Sequence, residues 1–483
     1  MTATTLTAGL LIDEKLITES SGGTHQHIYP ATGEPNVTVP LAGAAEIDRA
    51  VSSAWQAHRA WMTLTVDRRR DLLIDLADVV HEHLDELAVL NVHDYAVPIS
   101  LAGTAHMLEW FLRHFAGYVD KPHGASSPVN GSFDVNVIER EPYGVVGVIA
   151  PWNGALAVAA SSVAPALAAG NAVVLKPSEL APLAALRFGE LCLEAGLPPG
   201  LVNVVPAGAE GGEALVRHPG IRKVHFTGGD ATARRVLAAA AANLTPVVAE
   251  LGGKSANVVF EDADLDLAAV MSAHQGPLMQ SGQSCACASR VLVHDSVYDA
   301  FQEKFLAAIE SAKVGDPLDP TTFFGPVISQ VAADRILRVI DGAVAQQSGE
   351  LLFGGKRIGG DLAHGFYIEP TVFGGVDNSS GLAQIEIFGP VVSLIKFHDE
   401  AEAVRIANDT PYGLNAFVQT RDLARAHRVA RQLEAGSVWI NQISLISPQG
   451  PYGGYKQSGF GRTGGLDGLH EFSQVKNIRI GMS

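Results

Sequence analysis

Three side chains stand out for the chemistry their surroundings could support. Cys285 lies in MQSGQSCACASR, where small and polar neighbours leave the thiol room and no acid or base is adjacent. Glu250 ends the apolar run TPVVAE and precedes LGGK, and Asn153 follows a hydrophobic stretch in APWN. A cysteine becomes a nucleophile once a helix end or a cation gives it thiolate character; otherwise it is a small buried apolar group, and the residues around Cys285 by themselves favour the second. A carboxylate after a buried strand is either an ion-pair partner or a general base with a raised pKa. An asparagine there either makes a turn or donates its amide to a developing oxyanion. A fourth feature is VHFTGGDATARR: an apolar strand, Gly228-Gly229, then a helix expected to be capped by Asp230 or Thr232. Such glycines let the backbone approach a phosphate at the positive helix end, or simply make a tight turn, and GxGxxG itself is absent.

These groups need strands to end on, and the hydropathy pattern supplies them. Residues 46–62 and 66–90 are predicted as amphipathic helices, the second with Leu72, Leu73, Leu76, Val79, Val80, Leu84 and Leu87 at three- and four-residue spacings. Another helix is predicted over 106–118, followed by a turn-rich patch, KPHGASSPVNGS, and by FDVNVIER, which alternates like a strand. From Gly144 short apolar strands (145–149, 172–175, 202–205, 223–226, 246–249) alternate with helices (156–169, 183–195, 231–242). This pattern implies a parallel, doubly wound sheet with helices on both faces, which binds ligands at the carboxyl ends of its strands. A second α/β run from Ala256 to Asn441 holds predicted strands at 289–293 and 391–397, helices at 297–312 and 331–347, and a glycine-rich turn at 354–361. A strand-like tail, VKNIRI, closes the chain, and no solenoid repeat occurs.

Composition narrows the partners. The 483 residues are 47% hydrophobic and 18% charged, which is ordinary for a folded protein with a large core, and the apolar content is too high for disorder. The net charge of −17 argues against nucleic acid or an anionic membrane surface as the main partner. Nothing between Glu141 and Lys176 is charged, yet Pro142, Pro151, Asn153, Pro165 and Asn171 interrupt the stretch, so buried βαβ structure explains it better than a membrane span. The three cysteines, Cys192, Cys285 and Cys287, are too few for a disulfide framework. With no secretory pattern at MTATTLTAGLLIDEK, a cytoplasmic location is expected. No metal site is expected: the histidines never pair with cysteines at ligand spacing, and HEH at 81–83 falls on a charged helix face.

Seen together, the motifs are more specific than any one of them. PWN (151–153), KPSE (176–179), FTGG (226–229), ELGGK (250–254), GQSC (282–285), EIFGP (386–390) and PYGGYKQSG (451–459) follow one another in an order and spacing that resemble the aldehyde dehydrogenase superfamily over essentially the whole chain. The resemblance reverses the local reading of Cys285. It implies an α/β fold of the aldehyde dehydrogenase type, with a Rossmann-type cofactor domain (1–119 and 141–252), an α/β catalytic domain (253–453) and small oligomerisation or bridging segments (120–140 and 454–483). It implies that Cys285 attacks an aldehyde as thiolate while the Asn153 amide and the Cys285 backbone N–H hold the oxyanion. Hydride then passes to a nicotinamide, and Glu250 activates the water that hydrolyses the thioester. It assigns Lys176 and Glu179 to the adenosine ribose, Gly228 and Gly229 to the pyrophosphate turn, Trp152 to the nicotinamide end, Glu386 to the nicotinamide ribose and Phe388 to packing beside it, with Leu251 also binding the cofactor. Because Glu179 can accept from a 2′-hydroxyl but repels a 2′-phosphate, NAD is favoured over NADP, with Lys176 softening the repulsion.

Several positions depart from the family pattern. Gly229 stands where the family usually has serine, Ala233 where a glycine is common, Ser162 where a lysine is common, and Cys287 where alanine is frequent. Cys287 is read as a small buried residue, with a resolving thiol for oxidised Cys285 as the lesser alternative; Cys192 is read as core. By resemblance the aldehyde tunnel would be lined by Met107, Trp110, Phe111, Gly154, Val158, Ser161, Ser284, Ala286, Ile443, Leu445 and Ile446. Gly154 and Ser161 fall where aromatics are common, so a wide tunnel and a bulky or long apolar aldehyde, aromatic or terpenoid, are expected. A CoA-acylating relative is disfavoured by Glu250, and a catalytically silent protein by the complete Cys285, Asn153 and Glu250 set. A catalytically silent or cofactor-independent thiol esterase relative of the same fold stays as the alternative. FDVNVIER and the tail resemble strands that pair subunits, implying a homodimer or homotetramer.

Overall fold

The computed structural model describes residues 6, 8–121, 124–128 and 134–481. The apolar runs after Gly144 form the centre of an eight-stranded sheet. Strands Val202–Val204, Ala172–Lys176, Val145–Ile149, Lys223–Thr227 and Val247–Glu250 lie parallel in that spatial order. Each is flanked by helices on both faces, so its side chains are buried without alternation, as in Val145–Ile149 and Ala172–Lys176. Antiparallel strands finish both edges: Leu10–Ile12 with Lys15–Ile17 on one side, and the short Gly459–Phe460 against Val247–Glu250 on the other.

The second run builds a seven-stranded sheet in the order Glu350–Phe353, Thr371–Gly374, Val391–Phe397, Arg290–His294, Ala256–Val259, Asn415–Gln419, Ser437–Ile440. All neighbours are parallel except the first pair. Separate apolar clusters cover its two faces, one around Phe260, Ile336 and Phe373, the other around Phe301, Phe305 and Phe324. A third sheet pairs Val135–Pro142 with both Ala125–Pro128 and the tail strand Ser473–Ile480. The rest of the turn-rich patch, residues 122–123 and 129–132, and Phe133 of FDVNVIER lie outside the described residues.

Three local expectations need correction. The helix expected over 66–90 is two helices, Val66–Glu82 and Leu84–Tyr95, broken where His83 leaves helical geometry at φ −111° and ψ 16°. The first piece packs mainly on Thr104–Ala116 and the second mainly on Leu183–Glu194. The helix after Asn153 contains a π-turn at Ala159–Val163 between Ala155–Val158 and Ala164–Ala168. There Ser162 Oγ donates to the Val158 carbonyl at 2.5 Å, and Pro165 has no N–H to continue the ordinary ladder. The helix Asp230–Ala240 is capped by neither Asp230 nor Thr232: its N-cap is Gly229, without a side-chain bond, and Asp230 instead accepts from Ala231 N–H at 2.8 Å.

Candidate active site

The carboxyl ends of the first sheet open into a cleft of about 850 Å³. Asn153 reaches it just past Val145–Ile149, Lys176 at the end of Ala172–Lys176, Gly228 and Gly229 just past Lys223–Thr227, and Glu250 at the end of Val247–Glu250. Cys285, Trp152, Glu179, Leu251, Glu386 and Phe388 share the same wall. Every catalytic and cofactor candidate is thus brought to one place. The apolar candidates are not on that wall. Phe111, Val158, Ser161 and Ala286 are buried, Phe111 within the first sheet's core, and Met107 and Ile446 pack against that core. Trp110, Ile443 and Leu445 are exposed, while Gly154 and Ser284 are half-buried.

The loop carrying Cys285 is tightly constrained. Gln280, Ser281 and Gly282 all have positive φ (49°, 55° and 71°), a conformation that costs energy at the two non-glycine positions. Ser281 Oγ donates to Gly325 O at 2.7 Å, and Gln283 Oε1 accepts from Ile328 N–H at 2.8 Å. At Gly282 a Cβ would stand 2.0 Å from the Gly389 carbonyl, so only glycine permits this approach to the EIFGP turn. Asn153 Nδ2 donates to the Gln283 carbonyl at 2.9 Å, which ties the amide to the loop and leaves its second N–H for another acceptor.

Electrostatically the centre is costly. Cys285 is pushed up to about 12 by burial and then by Glu386 and Glu250, with Tyr452 and the backbone of Cys285 pulling the other way. Glu250 is raised well above the ordinary carboxylate range by burial, with Arg462 pulling the other way and Glu471 adding to the rise. Neither of its oxygens has a hydrogen-bond partner among the described residues, and Gly453 lies against it where a Cβ would be 2.7 Å from Oε1. Glu386 accepts from Gly253 N–H at 3.0 Å, and Gly252 gives it room, since a Cβ there would meet Oε2 at 2.1 Å. Trp152 and Phe388 meet edge to face at 5.4 Å, with Phe388 held at φ 51°.

One part of the glycine turn is already engaged. The Gly228 N–H donates to the Glu250 carbonyl at 3.1 Å, so this glycine holds two strand ends together. Gly229, by contrast, has open space where a side chain would be. Lys176 is lowered by burial, with Glu179 opposing, and its ammonium donates to the Pro177 carbonyl at 3.4 Å. Sequence reasoning missed Tyr452 beside the thiol, Arg335 on the cleft wall and Arg462 near Glu250. Tyr452 and the glycines around it lie in the PYGGYKQSG motif; Arg335 sits in a helix with no local signal.

Among the described residues no cluster of three or more His, Cys, Asp or Glu could hold a metal, and no helix is long and apolar enough to cross a membrane. Cys192 and Cys287 are buried and unpaired.

The comparisons with known proteins agree on this architecture. Residues 17–478 match the model of the aldehyde dehydrogenase family. Among solved structures, PnpE from Pseudomonas sp. WBC-3 is 39% identical with a TM-score of 0.96, the match covering 99% of this chain and 98% of that one. A PnpE structure in complex with nicotinamide adenine dinucleotide matches with a TM-score of 0.95 at 39% identity, covering 99% and 98%. Betaine aldehyde dehydrogenase from Staphylococcus aureus, solved with NAD+, is 36% identical with a TM-score of 0.96, covering 99% and 96%.

Proposed function

This chain belongs to the aldehyde dehydrogenase family, and from that premise we propose that it oxidises a bulky or long apolar aldehyde to the carboxylic acid with NAD. The observation that carries the reading is the convergence of Cys285, Asn153 and Glu250 with the nucleotide-binding candidates on one cleft. The cleft suits a dinucleotide on its own features. It has the volume of a cofactor site, and Gly229 leaves the backbone at the start of a helix open to a phosphate. Lys176 and Glu179 would hold the adenosine ribose, Gly228 would shape the turn, Trp152 and Leu251 would border the nicotinamide, and Glu386 and Phe388 would receive its ribose. When bound, the nicotinamide supplies the hydride acceptor.

The protein's own groups then divide the work. Cys285 adds to the aldehyde carbon as thiolate, and the free N–H of the Asn153 amide, with the Cys285 backbone N–H, receives the charge on oxygen. Once the adduct is oxidised, the acyl group remains on Cys285 as a thioester. Glu250, whose oxygens have no hydrogen-bond partner among the described residues, takes a proton from water as that water attacks the acyl carbon, and the thiol leaves. A carboxylate at Glu179 supports NAD over NADP. For the substrate, Phe111, Val158, Ser161 and Ala286 are buried off the cleft wall, and the more open candidates Met107, Trp110, Gly154, Ser284, Ile443, Leu445 and Ile446 carry no charge, which supports an apolar aldehyde. We read the cofactor unit as 1–119 with 141–252, the catalytic unit as 253–453, and 120–140 with 454–483 as segments pairing subunits into a homodimer or homotetramer.

The test is reduced-nicotinamide absorbance with NAD and a panel of aldehydes, with Cys285→Ala as control. The expected result is signal from the native protein alone, with kcat/KM highest on bulky apolar aldehydes. Preference for small or carboxylated aldehydes would remove the substrate proposal. No signal with either dinucleotide, together with ester cleavage in their absence, would replace the reaction itself.

A further inference from the structure

One buried residue that no step above uses is tied to the segment carrying Glu179. His27 lies in the strand Thr24–Tyr29, is 1% exposed and stands off the cleft wall. Its strand pairs with Glu34–Pro40, but the register shifts: His27 is opposite Val37 and Ile28 opposite Pro35, so Asn36 is an extra residue bulged out of the ladder. At this bulge Asn36 Oδ1 lies 2.6 Å from Nδ1 of the ring. On the other side, Nε2 is 2.9 Å from each of two carbonyl oxygens, those of Asp94 and Leu180. Carbonyls only accept, so Nε2 carries a hydrogen and shares it between them.

Neither carbonyl has a helical partner. Asp94 is in the last turn of Leu84–Tyr95, and the residue four places on is Pro98, which has no N–H. Four residues after Leu180 is Ala184, whose N–H goes to the Asp94 carboxylate at 2.9 Å, beside that of Leu183 at 2.8 Å. His27 and Asp94 together therefore hold Leu180, Leu183 and Ala184. From Leu180 the path continues to the cleft. Leu180 N–H donates to Ser178 Oγ at 3.2 Å, and that hydroxyl donates to Glu179 Oε2 at 3.4 Å. Ser178 and Glu179 are both on the cleft wall. One connected set of contacts thus runs from the buried ring to the carboxylate assigned to the adenosine ribose.

We propose that His27 is a positioning residue for the adenosine end of the cofactor site: through the Leu180 carbonyl and Ser178 it holds the Glu179 carboxylate where a 2′-hydroxyl can donate to it and a 2′-phosphate is repelled. The inference rests on the reading of Glu179 as the ribose carboxylate. A carboxylate free to swing away loses its hydrogen bond to NAD and at the same time spares NADP the repulsion. Loss of the clamp therefore changes the ratio of the two affinities, whereas a ring that only held the fold together would weaken both alike.

The test is the dissociation constants of NAD and NADP, measured by isothermal titration calorimetry on the full chain without aldehyde. Two polar replacements separate the ring nitrogens. His27→Gln carries an amide N–H to the place of Nε2 and is expected to keep the native ratio of the two constants within about twofold. His27→Asn reaches only as far as Nδ1, and the preference for NAD is expected to fall by about tenfold. On the Glu179→Gln background, His27→Asn is expected to change the ratio no further. A native ratio in His27→Asn would overturn the proposal, as would an equal fall in His27→Gln or a full further fall on the Glu179→Gln background. Should His27→Asn fail to fold, Ser178→Ala cuts the same path at its next link: a native ratio there overturns the proposal, and a lowered one that disappears on the Glu179→Gln background upholds it. Glu179→Gln with the native ratio removes the reading of Glu179, and with it this proposal. No binding of either dinucleotide by the native protein removes the cofactor reading as a whole.

Discussion

Glu250 sits where its own charge is penalised. Burial is the largest cause of its raised pKa, Arg462 offsets only part of it, and both oxygens lack hydrogen-bond partners among the described residues. A carboxyl whose folded pKa lies above its unfolded value contributes stability below the ordinary glutamate range, and that contribution is lost as pH rises through the folded value. Glu250→Gln is therefore expected to be more stable than the native protein in urea unfolding at neutral and alkaline pH, with the advantage vanishing at acid pH. The same substitution is expected to leave one fast equivalent of NADH per Cys285 and then stall, because oxidation does not use the base and hydrolysis does. Stopped-flow absorbance shows this directly, and multiple turnovers at the native rate would show that another group activates the water. Glu179 gives a second prediction at this scale. Removing its charge in Glu179→Gln is expected to raise kcat/KM for NADP by about tenfold or more while changing that for NAD less, since it relieves repulsion of a 2′-phosphate near Lys176.

At the scale of elements, the nucleophile is placed by two loops that touch through a glycine. Gly282 lies against the Gly389 carbonyl, so the loop before Cys285 and the turn carrying Glu386 and Phe388 cannot move independently. Gly282→Ala is expected to displace both at once. Its kcat/KM should fall by about a hundredfold, because misplacement by an ångström is enough to lose that much. The KM for NAD should rise as well, and steady-state kinetics with both substrates varied separates the two effects. A loss confined to the aldehyde side would mean that the EIFGP turn holds its place unaided. A second junction ties two helices of the first unit together. Asp94, at the end of Leu84–Tyr95, accepts from Leu183 N–H at 2.8 Å and Ala184 N–H at 2.9 Å, at the start of Leu183–Glu194. Asp94→Ala leaves two buried donors unpaired and is expected to cost about 2 kcal/mol of stability, measured by denaturant unfolding.

For the whole molecule, the tail leaves the first sheet after Gly459–Phe460, passes through the helix Gly465–His470 and pairs along Val135–Pro142. Val475 and Ile480 on this strand and Val135 on its neighbour are exposed. A chain ending after Phe472 is expected to lose subunit pairing, giving the monomer mass of 50.7 kDa by light scattering less the missing tail, while the native chain gives two or four times that mass. A native monomer would remove the oligomer proposal.

The alternation of short apolar strands with helices was enough by itself to show two α/β units and the strand ends carrying Asn153, Gly228 and Glu250. Buried parallel strands must be uniformly apolar, and such runs can be read without knowing their neighbours. Motif order likewise identified the residues that the fold gathers on the cleft. The break at His83, the π-turn after Val158 and the Gly229 cap were not legible, because packing on other helices and missing or redirected hydrogen bonds decide them rather than periodicity. Nor could spacing show that Gly228 spends its N–H on Glu250 or that Phe111 is sealed in the core. Those facts depend on contacts between segments far apart in the chain. Only the tertiary structure sets which buried groups have partners and which are left to react.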